Sequence, residues 1–93
     1  MSTKSTNQGT KSTATEAQYA RIVIMTRTGE KSTIELRRGG VMMPAARIKE
    51  MNERLGYVIV RVALRDIWDE WGYRHPRVAI YALISEPARS LHD

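Results

Sequence analysis

The sequence predicts an α+β domain in which three helices precede a two-stranded β-hairpin. Glycine and proline punctuation divides residues 14–56 into three segments, each with its own helix-start signal. The last of these segments repeats apolar residues at helical spacing. After Gly56 the apolar period falls from 3.6 to 2, the mark of a strand.

The first segment opens with Thr15-Glu16-Ala17-Gln18, which fits a capping box. In that motif the Thr hydroxyl and the Gln side chain satisfy free helix N–H groups reciprocally. A helix is expected through Ala17, Ala20, Ile22, Val23 and Met25, ended by Gly29. Its β-branched run Ile22-Val23-Ile24 also suits a strand. Ser32-Thr33-Ile34-Glu35 is a second capping box, opening a short helix through Leu36 and Arg38. Gly39-Gly40 stops it, because glycine accepts the left-handed backbone of a sharp helix exit. Pro44, favoured at the first helical position, opens a third helix over Pro44–Leu55. Pro44, Ile48, Met51 and Leu55, flanked by Ala45, form its apolar face. Tyr57–Arg65 (YVIVRVALR) reads as a strand and Arg77–Ile84 (RVAIYALI) as its partner. Asp66–Pro76 (DIWDEWGYRHP) between them is expected as a long hairpin loop. Helix, short helix, glycine turn, longer helix and hairpin is the order of a winged helix-turn-helix.

Residues 1–13 (MSTKSTNQGTKST) have no large apolar side chain after Met1, hence nothing to bury against the cost of ordering. A disordered arm is expected there, either a solvated tail or a contact to a DNA backbone. The folded domain is expected over 14–86 and a frayed C-terminus over 87–93.

A chain of 93 residues has room for one small domain. The absence of Cys excludes a disulfide framework, a thiolate zinc site and a Cys nucleophile. No apolar run approaches the ~20 residues that cross a bilayer, and no apolar segment of a signal peptide follows Lys4. A cytoplasmic protein without membrane contact is therefore expected. Fifteen Lys and Arg against ten Asp and Glu give a net charge of +5. Of the thirteen basic residues beyond position 18, eleven are Arg, a bias toward planar, bidentate contacts. Such domains bind phosphates or nucleic acid, although an ordinary basic surface has the same total.

The stretch from Gln18 to Ile84 resembles the small helix-turn-helix domains of phage and mobile-element proteins. The resemblance rests on QYARI (18–22), STIELRRGGVMMPAARIKEMNERLGY (32–57) and HPRVAIYALI (75–84). The middle piece is the most specific, with its T-x-E-L-R turn, Gly-Val pair, P-A-A-R-I and closing G-Y. It implies a winged-helix fold and binding to double-stranded DNA, at the nucleoid of a bacterial host.

With Ile48 turned inward, 100° per residue sets Met43, Arg47, Glu50 and Arg54 on one exposed flank of the third helix. Ala46, Lys49 and Glu53 lie on the other. Arg47 and Arg54 suit guanine O6 and N7 or the flanking phosphates, and Ala46 permits close approach or touches a thymine methyl. Glu50 accepts from a cytosine amino group or pairs with Arg47 or Arg54. The bland alternative is a solvated face stitched by Glu–Arg pairs. Arg37 and Arg38, with Lys31 before them, are placed for backbone phosphates or for the C-terminal end of their own helix. Arg74 and Arg77 flank the loop end as candidate wing contacts. Arg61 and Arg65 are equally suited to covering the core edge.

Trp68, Trp71 and Tyr73 are expected to fold back and close the small core. The alternatives are a dimer contact and stacking on bases, the latter opposed by Asp66, Asp69 and Glu70 beside them. Asp66, Asp69, Glu70 and His75 match no metal-ligand spacing, and there is no nucleophile elbow, phosphate loop or dinucleotide fingerprint. Neither an enzyme nor a cofactor or metal is expected. The expectation is a small transcriptional regulator that reads DNA with its third helix in the major groove, as a homodimer. The alternatives are an excisionase-like architectural protein that bends DNA, and an interaction module that inhibits a host protein.

Overall fold

The computed structural model describes residues 14–88; the expected arm over 1–13 and the last part of the expected frayed end, 89–93, lie outside them. Helices α1 (Thr15–Arg27), α2 (Thr33–Arg38) and α3 (Pro44–Arg54) combine with strands β1 (Lys31–Ser32), β2 (Val58–Trp68) and β3 (Arg74–Ser85). The sheet is antiparallel and has three strands, in the order β1-β3-β2. The expected two-stranded hairpin therefore gains a strand, with Lys31 opposite Tyr81 and Ser32 opposite Ile80. Two residues are too short for an alternating pattern to show in sequence.

The β-branched run of the first segment is helical, and Ile22 and Val23 in it are fully buried. Packing of that face overrides a modest propensity difference. The capping box expected at Thr15 does not form. Ala14 takes the cap position without a side-chain bond. Gln18 is buried instead, and its Oε1 accepts from the Met42 N–H at 3.0 Å, tethering α1 to the segment before α3. The Ser32 capping box is complete, with reciprocal bonds of 3.0 and 2.8 Å to Glu35.

The two glycines after α2 differ in role. Gly40 takes the left-handed backbone (φ +100°), and its carbonyl accepts from Arg21 Nη1 at 3.0 Å. Gly39 has an ordinary φ of −81° and is small for another reason: a Cβ there would meet Met25 Sδ at 2.5 Å.

The core joins Ile22 and Val23 of α1, Leu36 of α2, Ile48 and Met51 of α3, and Ile59 of β2 with Val41 and Tyr57 beside them. Each such side chain contributes about 1.5–3 kcal/mol on burial. The strands run well past this core. The expected loop Asp66–Pro76 is mostly strand, with Ile67 opposite His75 and Trp68 opposite Arg74, so the connection shrinks to residues 69–73. Register shifts between Arg61 and Ala63 and between Arg65 and Ile67 absorb the residues that do not alternate. Arg77 lies at the second shift with φ +54°, its N–H held by Asp66 Oδ1 at 3.1 Å. Among the described residues no helix is long and apolar enough to cross a membrane.

Candidate nucleic-acid interface

α2 and the start of α3 enclose a cleft of about 210 Å³, lined by Thr33, Arg37, Met43, Pro44, Ala45 and Ala46. Met43 at the N-cap of α3 makes no side-chain cap bond, and the first turn carries no acidic residue. The N–H groups of Ala45 and Ala46 thus have no partner within the helix, and the positive end of its dipole faces out. Arg37 is exposed, and its guanidinium has no hydrogen bond or ion pair among the described residues. Positive potential, a hydroxyl and two small side chains converge here, which is the chemistry of an anion contact.

The two flanks of α3 are not equivalent. Arg47 and Glu50, expected on an open flank with Met43 and Arg54, are half-buried and turned toward α1. Arg47 Nη2 donates to Glu50 Oε2 at 3.0 Å and its Nη1 to Thr15 Oγ1 at 3.4 Å. Its Nε is buried without a hydrogen-bond partner among the described residues. Tyr19 Oη donates to Glu50 Oε1 at 2.6 Å, and Arg54 lies 3.7 Å from the same carboxylate. That hydrogen bond, followed by burial and the carboxylate charge, holds the Tyr19 hydroxyl above its ordinary pKa. A helical wheel separates the flanks but cannot say which neighbour covers one of them. The outward surface of α3 is instead Ala45, Lys49 and Glu53, with Met42 and Met43 exposed ahead of it and Ala46 half-buried in the cleft. Lys49 and Glu53 are 3.9 Å apart and well exposed, a weak pair. Sequence reasoning missed Thr33 and Ala45; Pro44 at the first position with no acid behind it was the signal that could have found them.

Arg38 Nη2 meets Glu70 Oε1 at 2.6 Å, so the hairpin end lies beside the C-terminus of α2. Around that end Trp68, Trp71 and Tyr73 are 60%, 74% and 71% exposed, so they do not close the core. Long strands carry them beyond its reach. Asp69 fixes the turn: Oδ1 accepts from the N–H groups of Trp71 and Tyr73 at 3.0 and 2.9 Å, and Oδ2 lies 3.0 Å from His75 Nε2. The His75 bond, with the two backbone N–H bonds, holds its carboxyl below the ordinary value against an opposing effect of burial. Arg74 Nε is 3.5 Å from Asp66 Oδ2, whereas the Arg77 side chain has no ion pair among the described residues. Of the carboxylates expected to repel phosphate, Asp66 is matched by Arg74 and Glu70 by Arg38, and Asp69 is hydrogen-bonded to His75. Among the described residues no group of three or more His, Cys, Asp or Glu is placed to hold a metal ion.

Comparison with family models, with curated proteins and with solved structures gave no match to this chain.

Proposed function

We propose that the chain is a winged helix-turn-helix module that binds double-stranded DNA without catalysing a reaction, as a small regulator of the kind found in phage and mobile elements. The observation that carries this reading is the cleft between α2 and α3. There the uncapped N-terminus of α3, Thr33 and the unpaired Arg37 face solvent together. A backbone phosphate seated at that point brings Ala45, Ala46 and Lys49 toward the floor of a major groove, where small side chains permit close approach. The element order supports it as well: β1 leads into α2, and β2 and β3 extend from the sheet as a wing.

In this reading Arg37 and Lys49 carry the DNA contact, and Arg47 and Glu50 brace α3 against α1. One such module covers limited surface, so sequence-specific binding is expected to use two copies. The exposed Val58, Val60, Val62 and Ile84 offer an apolar surface for pairing.

The test is fluorescence anisotropy of a labelled duplex at 50 and 200 mM salt, with wild type beside Arg37→Ala and Arg47→Ala. The expected loss of wild-type affinity over that range is on the order of 10²–10⁴. Arg37→Ala lowers the salt slope by about 1, and Arg47→Ala leaves the slope unchanged. Absence of binding at low salt sinks the proposal.

A further inference from the structure

β2 stands at the edge of the sheet, and only its start is closed. There the Asn52 carboxamide takes the outward N–H and C=O of Ile59. From Arg61 to Asp66 the outward backbone groups have no partner among the described residues, and Val60, Val62 and Leu64 beside them are exposed. A row of free N–H and C=O groups flanked by aliphatic side chains is a template for another strand. The Lys and Pro residues that commonly blunt such an edge are missing from this stretch.

The bulge in β2 decides which strand fits. Arg61 lies opposite Tyr81 and Ala63 opposite Ile80, so Val62 is the extra residue. Leu64 lies opposite Ala79, two positions from Tyr81, and therefore shares a face with Arg61. Asp66, two beyond Leu64, shares it too. An antiparallel copy of β2 with Leu64 facing its own counterpart sets Arg61 opposite Asp66 of the second copy, twice about the two-fold axis. The Arg61 guanidinium has no ion pair or hydrogen bond among the described residues, and the Asp66 side chain is exposed. Neighbouring registers lose this match. Centred on Arg65, the pairing sets like charges directly opposite. Centred on Ala63, it brings Asp66 against Ile59, where Asn52 has closed the edge. We infer that two copies of the chain join through β2 in the Leu64-centred register, so that their two three-stranded sheets become one. The inference gives the expected pair of copies its geometry and rests on no contact with DNA.

The experiment is sedimentation of the full chain over a range of concentrations without DNA, with amide hydrogen exchange read on the same samples. The expected result is a monomer–dimer equilibrium in which the Arg61 and Leu64 amides gain protection as the dimer forms. Leu64→Lys, at an exposed position, sets two ammonium groups on the axis and is expected to raise the dimer Kd about tenfold or more. Arg61→Asp and Asp66→Arg each set like charges opposite and are expected to be monomeric alone. An equimolar mixture of the two restores the opposite-charge pairs and with them the dimer, a rescue that a folding defect does not give. A monomer at every concentration overturns the inference, and so does a mixture that stays monomeric. A dimer that survives Leu64→Lys, or that leaves the Arg61 and Leu64 amides unprotected, overturns it as well. With no duplex present, each of these failures leaves the DNA reading standing, and a failure to bind DNA leaves the strand pairing standing.

Discussion

The carboxamide of Asn52 is bonded to both backbone groups of Ile59: Nδ2 donates to the carbonyl and Oδ1 accepts from the N–H, each at 2.9 Å. β2 is an edge strand, and a side chain from α3 here supplies what a neighbouring strand would. Asn52→Ala strands both groups at the margin of the core and is expected to destabilise the fold by about 1–2 kcal/mol. Asn52→Asp is no rescue, because it removes the donor. Urea denaturation of the two variants beside wild type measures both.

Tyr19, Arg47 and Glu50 form a brace between α1 and α3 that separates stability from binding. Tyr19→Phe removes the hydroxyl bond to Glu50 and is expected to cost about 1 kcal/mol, discounted for partial exposure. The Tyr19 pKa is raised, chiefly by that bond, so the stabilisation is present below the ordinary tyrosine pKa and is lost as pH rises through the raised value. The alkaline unfolding limb of wild type, absent in Tyr19→Phe, is the readout.

How much of this was legible beforehand depends on the residue. Ser32 with Glu35, Pro44, and the Ile48–Met51 stripe announce their elements because capping and helical spacing are local chemistry. Gln18 reads as a cap and turns out to be a buried tether, since its partner Met42 is far along the chain. Asp66, Gly72 and Pro76 read as one loop, whereas pairing that resumes beyond the register shift between Arg65 and Ile67 keeps most of that segment in strand. Arg47 was misplaced because which flank of α3 meets Tyr19 is a property of packing. Of the candidate interface, Arg37 was in view; the convergence of Thr33 and Ala45 with it was not.

The turn at Asp69 is expected to fail in acid. Its depressed pKa, caused first by the bond to His75, means that the stabilisation is complete above the ordinary carboxylate pKa and disappears as pH falls through the lower, folded-state value. Tryptophan emission of the free protein followed downward through that window should change there. In Asp69→Asn, which keeps the Oδ1 acceptor, the acid transition should be missing while the turn persists.

Arg77 has a left-handed backbone that a side chain adopts at a cost of about 1 kcal/mol or more. Arg77→Gly is therefore expected to be no less stable than wild type in thermal denaturation. A loss of DNA affinity in that same variant would show that the guanidinium is kept there for contact. Unchanged affinity would assign Arg77 to the turn alone.

Only the near half of the hairpin is set in the core. Ile59 and Leu83 are packed there, whereas Trp68 and Arg74, paired at the far end, lie outside it, beside the exposed Arg74–Asp66 and Arg38–Glu70 ion pairs. The ladder is therefore packed firmly at one end and held at the other by exposed ion pairs of little strength, and its amides should exchange with solvent deuterium in a gradient, slowest near Ile59 and fastest beyond Ile67. A partner that grips the outer end would flatten that gradient, because it would give the loose half of the ladder a second anchor.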